Sequence, residues 1–280
     1  MEKAVRVALV SDLHHCHIDW YGQRAEKRLD GFVERFLRRH REKPVDLVLL
    51  LGDYSLDFWA WDVGGSYVHR RESRTQVFFR TVASRLPGPV YAIAGNHEQY
   101  SPEDFERFTG HKRQGYARVQ GNLFILLDTF AGDLDPEGDS DGTYTGADAG
   151  YIRGLMDEYP EDRVFLCAHF FDPARETEDF REIVKDKRVA CLFQGHTHLS
   201  SVIPLGGEWG NKCICQTGNY SYSSDPRGPE ASFWGWREAV ISEDGMRTEY
   251  YTPENRAVLD GKVYVHPEGR QDGLEIAFDA

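Results

Sequence analysis

Gly95-Asn96-His97-Glu98 follows directly on Val90-Tyr91-Ala92-Ile93-Ala94, a largely apolar run. Three other short pieces repeat that arrangement. Ser11-Asp12-Leu13-His14 follows Ala4 to Val10, Gly52-Asp53 follows Val45 to Leu51, and Gly195-His196-Thr197-His198 follows Val189 to Gln194. A lone His169 closes a further run from Arg163 to Ala168. Near-continuous apolar runs of this length read as strands covered on both faces. Polar groups at the ends of several such strands mark the place where open α/β sheets carry their chemistry.

The residue types at those ends suit a pair of metal ions. Asp12 and His14 are two residues apart, as are His196 and His198. In extended chain alternate side chains point the same way, so each pair can face one ion. Asp53 has two carboxylate oxygens and can bridge two ions, Asn96 offers a neutral amide oxygen, and His169 an imidazole. Nitrogen and oxygen donors without thiolate suit Mn, Fe, Zn, Co or Ni rather than Ca, and do not choose among them.

The order D-x-H, G-D, G-N-H-E, a solitary H and G-H-x-H, running from Val5 to about Asn219, resembles the calcineurin-like metallophosphoesterase family. The resemblance implies an α/β (α+β) fold, a four-layer αββα sandwich of two mixed sheets flanked by helices. It implies that Asp12, His14, Asp53 and His198 hold a first ion, and that Asp53, Asn96, His169 and His196 hold a second. His97 would sit over the scissile phosphate as general acid, with a metal-bridging hydroxide as nucleophile and Asn96 helping to hold the equatorial oxygens. Catalytic roles therefore fall on His97, Asn96 and Asp53, and the implied cofactor is two divalent or trivalent ions, Mn, Fe or Zn.

The chain departs from the family pattern after Asp53. Many relatives place a second Asp three residues on, where it pairs with the acid histidine; here that position is Leu56, and Asp57 comes one later. The protein-phosphatase branch places Arg beside that Asp, and Phe58 stands there instead. These departures argue against a protein phosphatase, favour a phosphodiesterase, and leave the carboxylate partner of His97 open. The alternatives are a monophosphatase acting on nucleotide or sugar phosphates, and a metal-binding scaffold without catalysis.

A chain of 280 residues, 40% hydrophobic and 28% charged, can bury a full core, and no linker or repeat interrupts it. One domain over 1–280 is expected, with a core from about 4 to 252 and a strand-containing tail over 253–280. The net charge of −13 argues against nonspecific binding to nucleic acid or an anionic membrane. A small phosphoester, drawn in by the metals, is the expected partner. The cysteines are odd in number and lack C-x-x-C, and the first strand begins too early for a leader; both point to reduced thiols and the cytoplasm.

Helices are expected over Gln23–Arg41, Ser73–Arg85, from Ser101, over Ala147–Tyr159 and over Glu178–Lys187, with hairpins at Tyr116–Leu127 and Arg237–Tyr251. His15 and His17 are expected either beside the site or exposed. Phe58, Trp59 and Trp61 either wall a pocket or cover the core edge, and the second is preferred. Phe170, Phe171 and Asp172 are read as shaping the rim. Glu137-x-Asp139-x-Asp141-Gly142 with Asp148 loosely mimics a calcium loop, but no helix precedes it, so a solvent loop is expected.

Overall fold

A computed structural model describes residues 4–20, 23–59, 71–130, 141–221, 234–254, 256–259, 262–265 and 272–278. The first sheet contains β1 (Val5–Val10), β2 (Leu47–Leu50), β3 (Val90–Ala92), β10 (Trp236–Ile241), β11 (Gly245–Tyr251) and β14 (Leu274–Ala277), in the order β14-β11-β10-β1-β2-β3. The second contains β4 (Gly115–Val119), β5 (Asn122–Leu127), β6 (Arg163–Ala168), β7 (Val189–Gln194), β8 (Val202–Pro204) and β9 (Cys213–Gln216), in the order β4-β5-β6-β7-β9-β8. β12 (Arg256–Leu259) and β13 (Lys262–Val265) pair as a separate ribbon.

Both large sheets are mixed. β1, β2 and β3 run parallel, as do β5, β6, β7 and β9, while the hairpin strands at the flanks run antiparallel. The helices are α1 (Ala25–Glu42), α2 (Arg74–Thr81), α3 (Pro102–Thr109), α4 (Ala149–Glu158) and α5 (Glu178–Lys185). Ser73, Ser101, Asp148 and Thr177 cap the last four, each accepting a backbone N–H three residues on.

Strand alternation produces the layering. Val7 and Leu9 of β1 join Phe124 and Leu126 of β5, together with Phe165 and Phe193, in a core between the two sheets. Ala8 and Val10 face the other way, onto Leu29, Phe32, Val33 and Phe36 of α1 and Phe78 and Phe105 of α2 and α3. Leu123, Ile125 and Leu127 face α4 and α5 through Ile152, Leu155, Phe180 and Val184. Helices, sheet, sheet, helices is the expected four-layer sandwich.

The elements expected from sequence are present with ends shifted by a residue or two; the second helix stops at Thr81, a 3₁₀ turn following at Ala83–Arg85. β8 and β12 had no counterpart in the sequence reading. β8 is three residues long, lies at the sheet edge and ends in Pro204, so it carries almost no strand signal. All five cysteines are free, with Cys191 and Cys215 sulfurs 3.4 Å apart in the inter-sheet core. Among the described residues no helix is long and apolar enough to cross a membrane.

Candidate metal centre

Parallel strands deliver the donors. Asp12 and His14 follow β1, Asp53 follows β2, Asn96 follows β3, His169 follows β6 and His196 and His198 follow β7. The sheets lie face to face, so donors from both meet at one end of the sandwich. Asp12, His14 and His198 form one cluster and Asp53, His169 and His196 another, with ligand atoms in each within 4.8 Å of one another. A third grouping, His14, Asp53 and His97, joins them.

Asp53 is the hinge of this arrangement. Its Oδ2 lies 3.2 Å from His169 Nε2, 3.8 Å from His14 Nε2 and 3.8 Å from His97 Nε2. Its Oδ1 is held by the backbone N–H of His97 at 3.2 Å. Asp12 is arranged likewise: Oδ2 accepts from Ser11 Oγ (2.5 Å) and the His196 N–H (2.9 Å), leaving Oδ1 3.3 Å from His198 Nε2. Asn96 Oδ1 lies 2.9 Å from His196 Nδ1. His169 Nδ1 sits 2.7 Å from the Leu51 carbonyl, to which it donates, and that fixes Nε2 as the nitrogen facing inward.

The backbone at these donors is unusual. Asp12, His14, Asp53, His196 and His198 have φ of 55°, 42°, 58°, 66° and 58°. For residues with a Cβ the left-handed region costs about 1–2 kcal/mol each, and such strain persists where the surrounding structure imposes it. The extended-chain rationale for the i,i+2 pairs is therefore corrected. The chain coils at each ligand, and His196 and His198 join different clusters instead of facing one ion. Gly52, at φ 92°, starts the turn, and a Cβ there would lie 2.8 Å from His169 Nδ1. A Cβ on Gly95 would strike the Asp53 carboxylate and approach the Asp53 nitrogen to 2.6 Å.

Charge compensation is mutual. Burial pushes the Asp53 carboxyl up, but His169, His97 and His14 outweigh it and hold it well below the usual range. Burial alone would lower His169; Asp53 and Asp12 lift it to about 10. Burial keeps His14 well below the ordinary imidazole value and, with His169, brings His196 to about 4, so both are neutral and able to ligate.

These residues fit a pair of cations. Asp12 Oδ1 and His169 Nε2 are buried, face the cluster and make no hydrogen bond. The donor chemistry is that of a nitrogen–oxygen transition-metal site.

Two supporting residues escaped the sequence reading. Glu98 is buried, and its carboxylate accepts the N–H groups of Asp53, Tyr54 and Gly95 at 2.8, 2.8 and 2.9 Å, locking the β2 and β3 loops together. Burial, with Asp53 nearby, pushes it up to about 8. Arg28 of α1 is also buried and donates to the carbonyls of Leu13 (2.6 Å), His14 (2.8 Å) and Tyr220. Its signal was available: Arg28 falls on the same helix stripe as Ala25, Leu29 and Phe32, where a cation has no solvent.

Arg28→Met keeps much of the stem and removes the donors from three buried carbonyls. About 3 kcal/mol of stability should go, and metal affinity should fall roughly 10–100-fold as the Asp12–His14 loop relaxes. Urea unfolding and chelator competition measure the two. Unchanged metal affinity would mean that the loop holds its shape without the guanidinium.

The remaining candidates are placed as follows. His15 is buried and held at about 4, by burial and then Arg74, with Nε2 4.0 Å from Glu26 and outside the metal clusters. His17 is exposed beside Arg74. Phe58 packs into the core against Tyr100, as preferred, whereas Trp59 lies edge-on to His97 at 5.9 Å and lines the site. Trp61 lies outside the described residues. Phe170 lies tilted against His196 at the rim, ring centroids 4.7 Å apart, while Phe171 is buried against Phe180. Asp57 is turned away: both its oxygens accept the Arg74 N–H (3.0 and 2.8 Å) and Tyr100 donates to it, which caps the start of α2. Asp148 caps α4, and Asp141, exposed as expected of a solvent loop, also approaches His97. Glu137 and Asp139 lie outside the described residues.

Comparison with known proteins bears on the fold and the family. No curated protein matches the chain. Solved structures do. Purple acid phosphatase PPD1 from yellow lupin (Lupinus luteus) is 12% identical with a TM-score of 0.56, covering 99% of this chain and 54% of the lupin one. This chain thus spans about half the length of that enzyme. GAP50, the anchor in the inner membrane complex of Plasmodium, is 13% identical with a TM-score of 0.58, covering 94% of this chain and 89% of its own. At such identities the likeness is one of fold. The family model described as calcineurin-like phosphoesterase matches residues 5–200, from β1 through the last of the histidine donors. With most of its length matched, and with the donors gathered at the strand ends, the chain belongs to the calcineurin-like phosphoesterase family, a family of metal-dependent phosphoric ester hydrolases.

Proposed function

We infer that the protein hydrolyses a phosphodiester at a dinuclear centre held by Asp12, His14, Asp53, Asn96, His169, His196 and His198, with His97 as general acid. The observation that carries this is Asp53 Oδ2, which faces His14, His169 and His97 at once. A carboxylate oxygen so placed can join two ions and leave the acid histidine beside them. The ions, when bound, polarise the phosphoryl group and bring the pKa of a coordinated water toward neutrality.

The chain's own residues do the rest. Asn96, anchored near His196, directs its amide toward the equatorial oxygens of the ester. His97 Nε2 gives its proton to the leaving oxygen as the P–O bond breaks. Trp59 and Phe170 border the site on the His97 and His196 sides.

Preference for a diester rests on charge. The side chains within 4 Å of the Asp12 and Asp53 carboxylates include five histidine contacts and no arginine among the described residues, and Phe58, where an arginine stands in the protein phosphatases, is buried in the core. A monoester dianion gains most from an added guanidinium; a diester monoanion needs it less. Retention of every donor together with His97 favours hydrolysis over an anchoring role.

With Mn²⁺ added, kcat/KM for bis-p-nitrophenyl phosphate should exceed that for p-nitrophenyl phosphate about tenfold, roughly 1.4 kcal/mol of transition-state preference. A clear excess of monoester activity would reverse the assignment to a monophosphatase. Metal analysis of the purified protein accompanies the assay.

A further inference from the structure

We propose that Asp141 is the carboxylate that orients the acid histidine: a positioning residue that holds His97 Nδ1 so that Nε2 faces the ester. The inference rests on the general-acid role assigned to His97 above.

The two ring nitrogens of His97 face opposite ways. Nε2 lies 3.8 Å from Asp53 Oδ2, on the side of the metal donors, and Nδ1 lies 3.5 Å from Asp141 Oδ1. An imidazole that donates from Nε2 in turnover must carry a proton on each nitrogen beforehand. A carboxylate at Nδ1 supports that form and fixes the ring plane, as a carboxylate does in hydrolytic triads. The contact is longer than a hydrogen bond, and catalytic contacts commonly tighten once substrate binds.

Asp141 reaches this position because its segment is pinned to the loop that carries the acid. The Gly142 N–H donates to the Asn96 carbonyl at 2.9 Å, one residue from His97. A Cβ on Gly142 would lie 3.3 Å from that carbonyl and 3.6 Å from Phe130 Cβ, so glycine permits the close approach. The N–H and hydroxyl of Thr145 both donate to the Thr129 carbonyl, at 2.8 and 3.1 Å. The two acids that the motifs offer, Asp57 after the Asp53 turn and Glu98 beside His97, are committed elsewhere. Asp57 caps α2, Glu98 ties the β2 and β3 loops, and Leu56 is buried. The carboxylate that relatives supply shortly after the bridging aspartate is thus supplied here from a different loop.

In the proton transfer, the Nε2–H bond of His97 breaks, the leaving oxygen gains that proton as its bond to phosphorus breaks, and the imidazole is left neutral with Nδ1–H toward Asp141. Asp141 stays ionised throughout and takes no proton. Because its side chain is 56% exposed, solvent screens the charge, and orientation is its main contribution.

The test compares Asp141→Asn, Asp141→Glu, His97→Ala and the Asp141→Asn/His97→Ala double variant on methyl phenyl phosphate and methyl p-nitrophenyl phosphate, with metal content measured for each. Asp141→Asn should lower kcat on the phenyl ester about 10–100-fold, less on the nitrophenyl ester, with KM within a few-fold and metal content kept. Asp141→Glu should recover part of the loss, and the Asn change should cost nothing more once His97 is alanine. Equal losses on both esters, or an undiminished loss in the His97→Ala background, would overturn the proposal. If His97→Ala is impaired selectively on the phenyl ester and Asp141→Asn is not, only the role of Asp141 fails. If His97→Ala shows no leaving-group dependence, the acid assignment fails and takes this one with it.

Discussion

His97→Ala is expected to keep its metal and to lose about 10²–10⁴-fold in kcat on a diester with a poor leaving group. The side chain lies outside both the Asp12–His14–His198 and the Asp53–His169–His196 clusters, and approaches the site at Asp53 Oδ2, 3.8 Å away, and at the His14 ring, 5.3 Å between centroids. What His97 gives Asp53 structurally is its backbone N–H, at 3.2 Å from Oδ1, and alanine retains it. The bridging carboxylate should therefore stay in place while the proton donor is gone. A p-nitrophenolate leaves without help, so methyl p-nitrophenyl phosphate should show a much smaller loss than methyl phenyl phosphate. Metal analysis decides against the competing possibility: if the variant drops an ion, His97 is a ligand in the His14–Asp53–His97 grouping and the acid role is wrong.

Asp53→Asn should be the more damaging change, because one atom serves both clusters. Asp53 Oδ2 lies 3.2 Å from His169 Nε2 and 3.8 Å from His14 Nε2. Asparagine keeps the shape and removes the charge that counters two cations. Occupancy should fall at both positions, and turnover should drop by about 10³-fold or more, the rate equivalent of several kcal/mol of transition-state charge stabilisation. A readout independent of activity follows from linkage: Mn²⁺ should raise the unfolding temperature of the wild type and barely move that of the variant. His169 supplies a second one. Asp53 is the largest influence lifting its imidazole to about 10 against burial, so the variant's His169 should titrate well below that value by NMR. A variant that still bound two equivalents of Mn²⁺ with wild-type affinity would remove Asp53 from the bridge.

Much of the architecture was legible because it is written at short range. A parallel strand covered on both faces appears as an apolar run, and Leu47–Leu50 and Val189–Gln194 are buried throughout. The stripe Leu29, Phe32, Val33 and Phe36 on α1 needs only the helical period. The donors are legible for the same reason, since each sits within a few residues of a strand end. β8 failed because three edge residues ending in proline carry no alternation to read.

The supporting residues were a different matter. Leu56 and Asp57 showed that the usual partner of the acid was displaced, but nothing in their spacing pointed to Asp141, on a loop that only tertiary packing brings to His97. The role of Glu98 has no local signature, because its carboxylate accepts backbone N–H groups from a neighbouring strand's loop.

The sequence by itself determined the strand-and-helix alternation and the polar residue types at the strand ends, since side-chain type and local period need no partner. The resemblance implied how the donors divide between two groups; only the tertiary structure showed the backbone that brings each group together. Each ligand loop coils through left-handed backbone that Glu98, Arg28 and close glycine contacts hold in place, and those restraints act between segments far apart in the chain. His196 and His198, two residues apart, join different clusters, whereas Asp12 and His14, with the same left-handed backbone, share one.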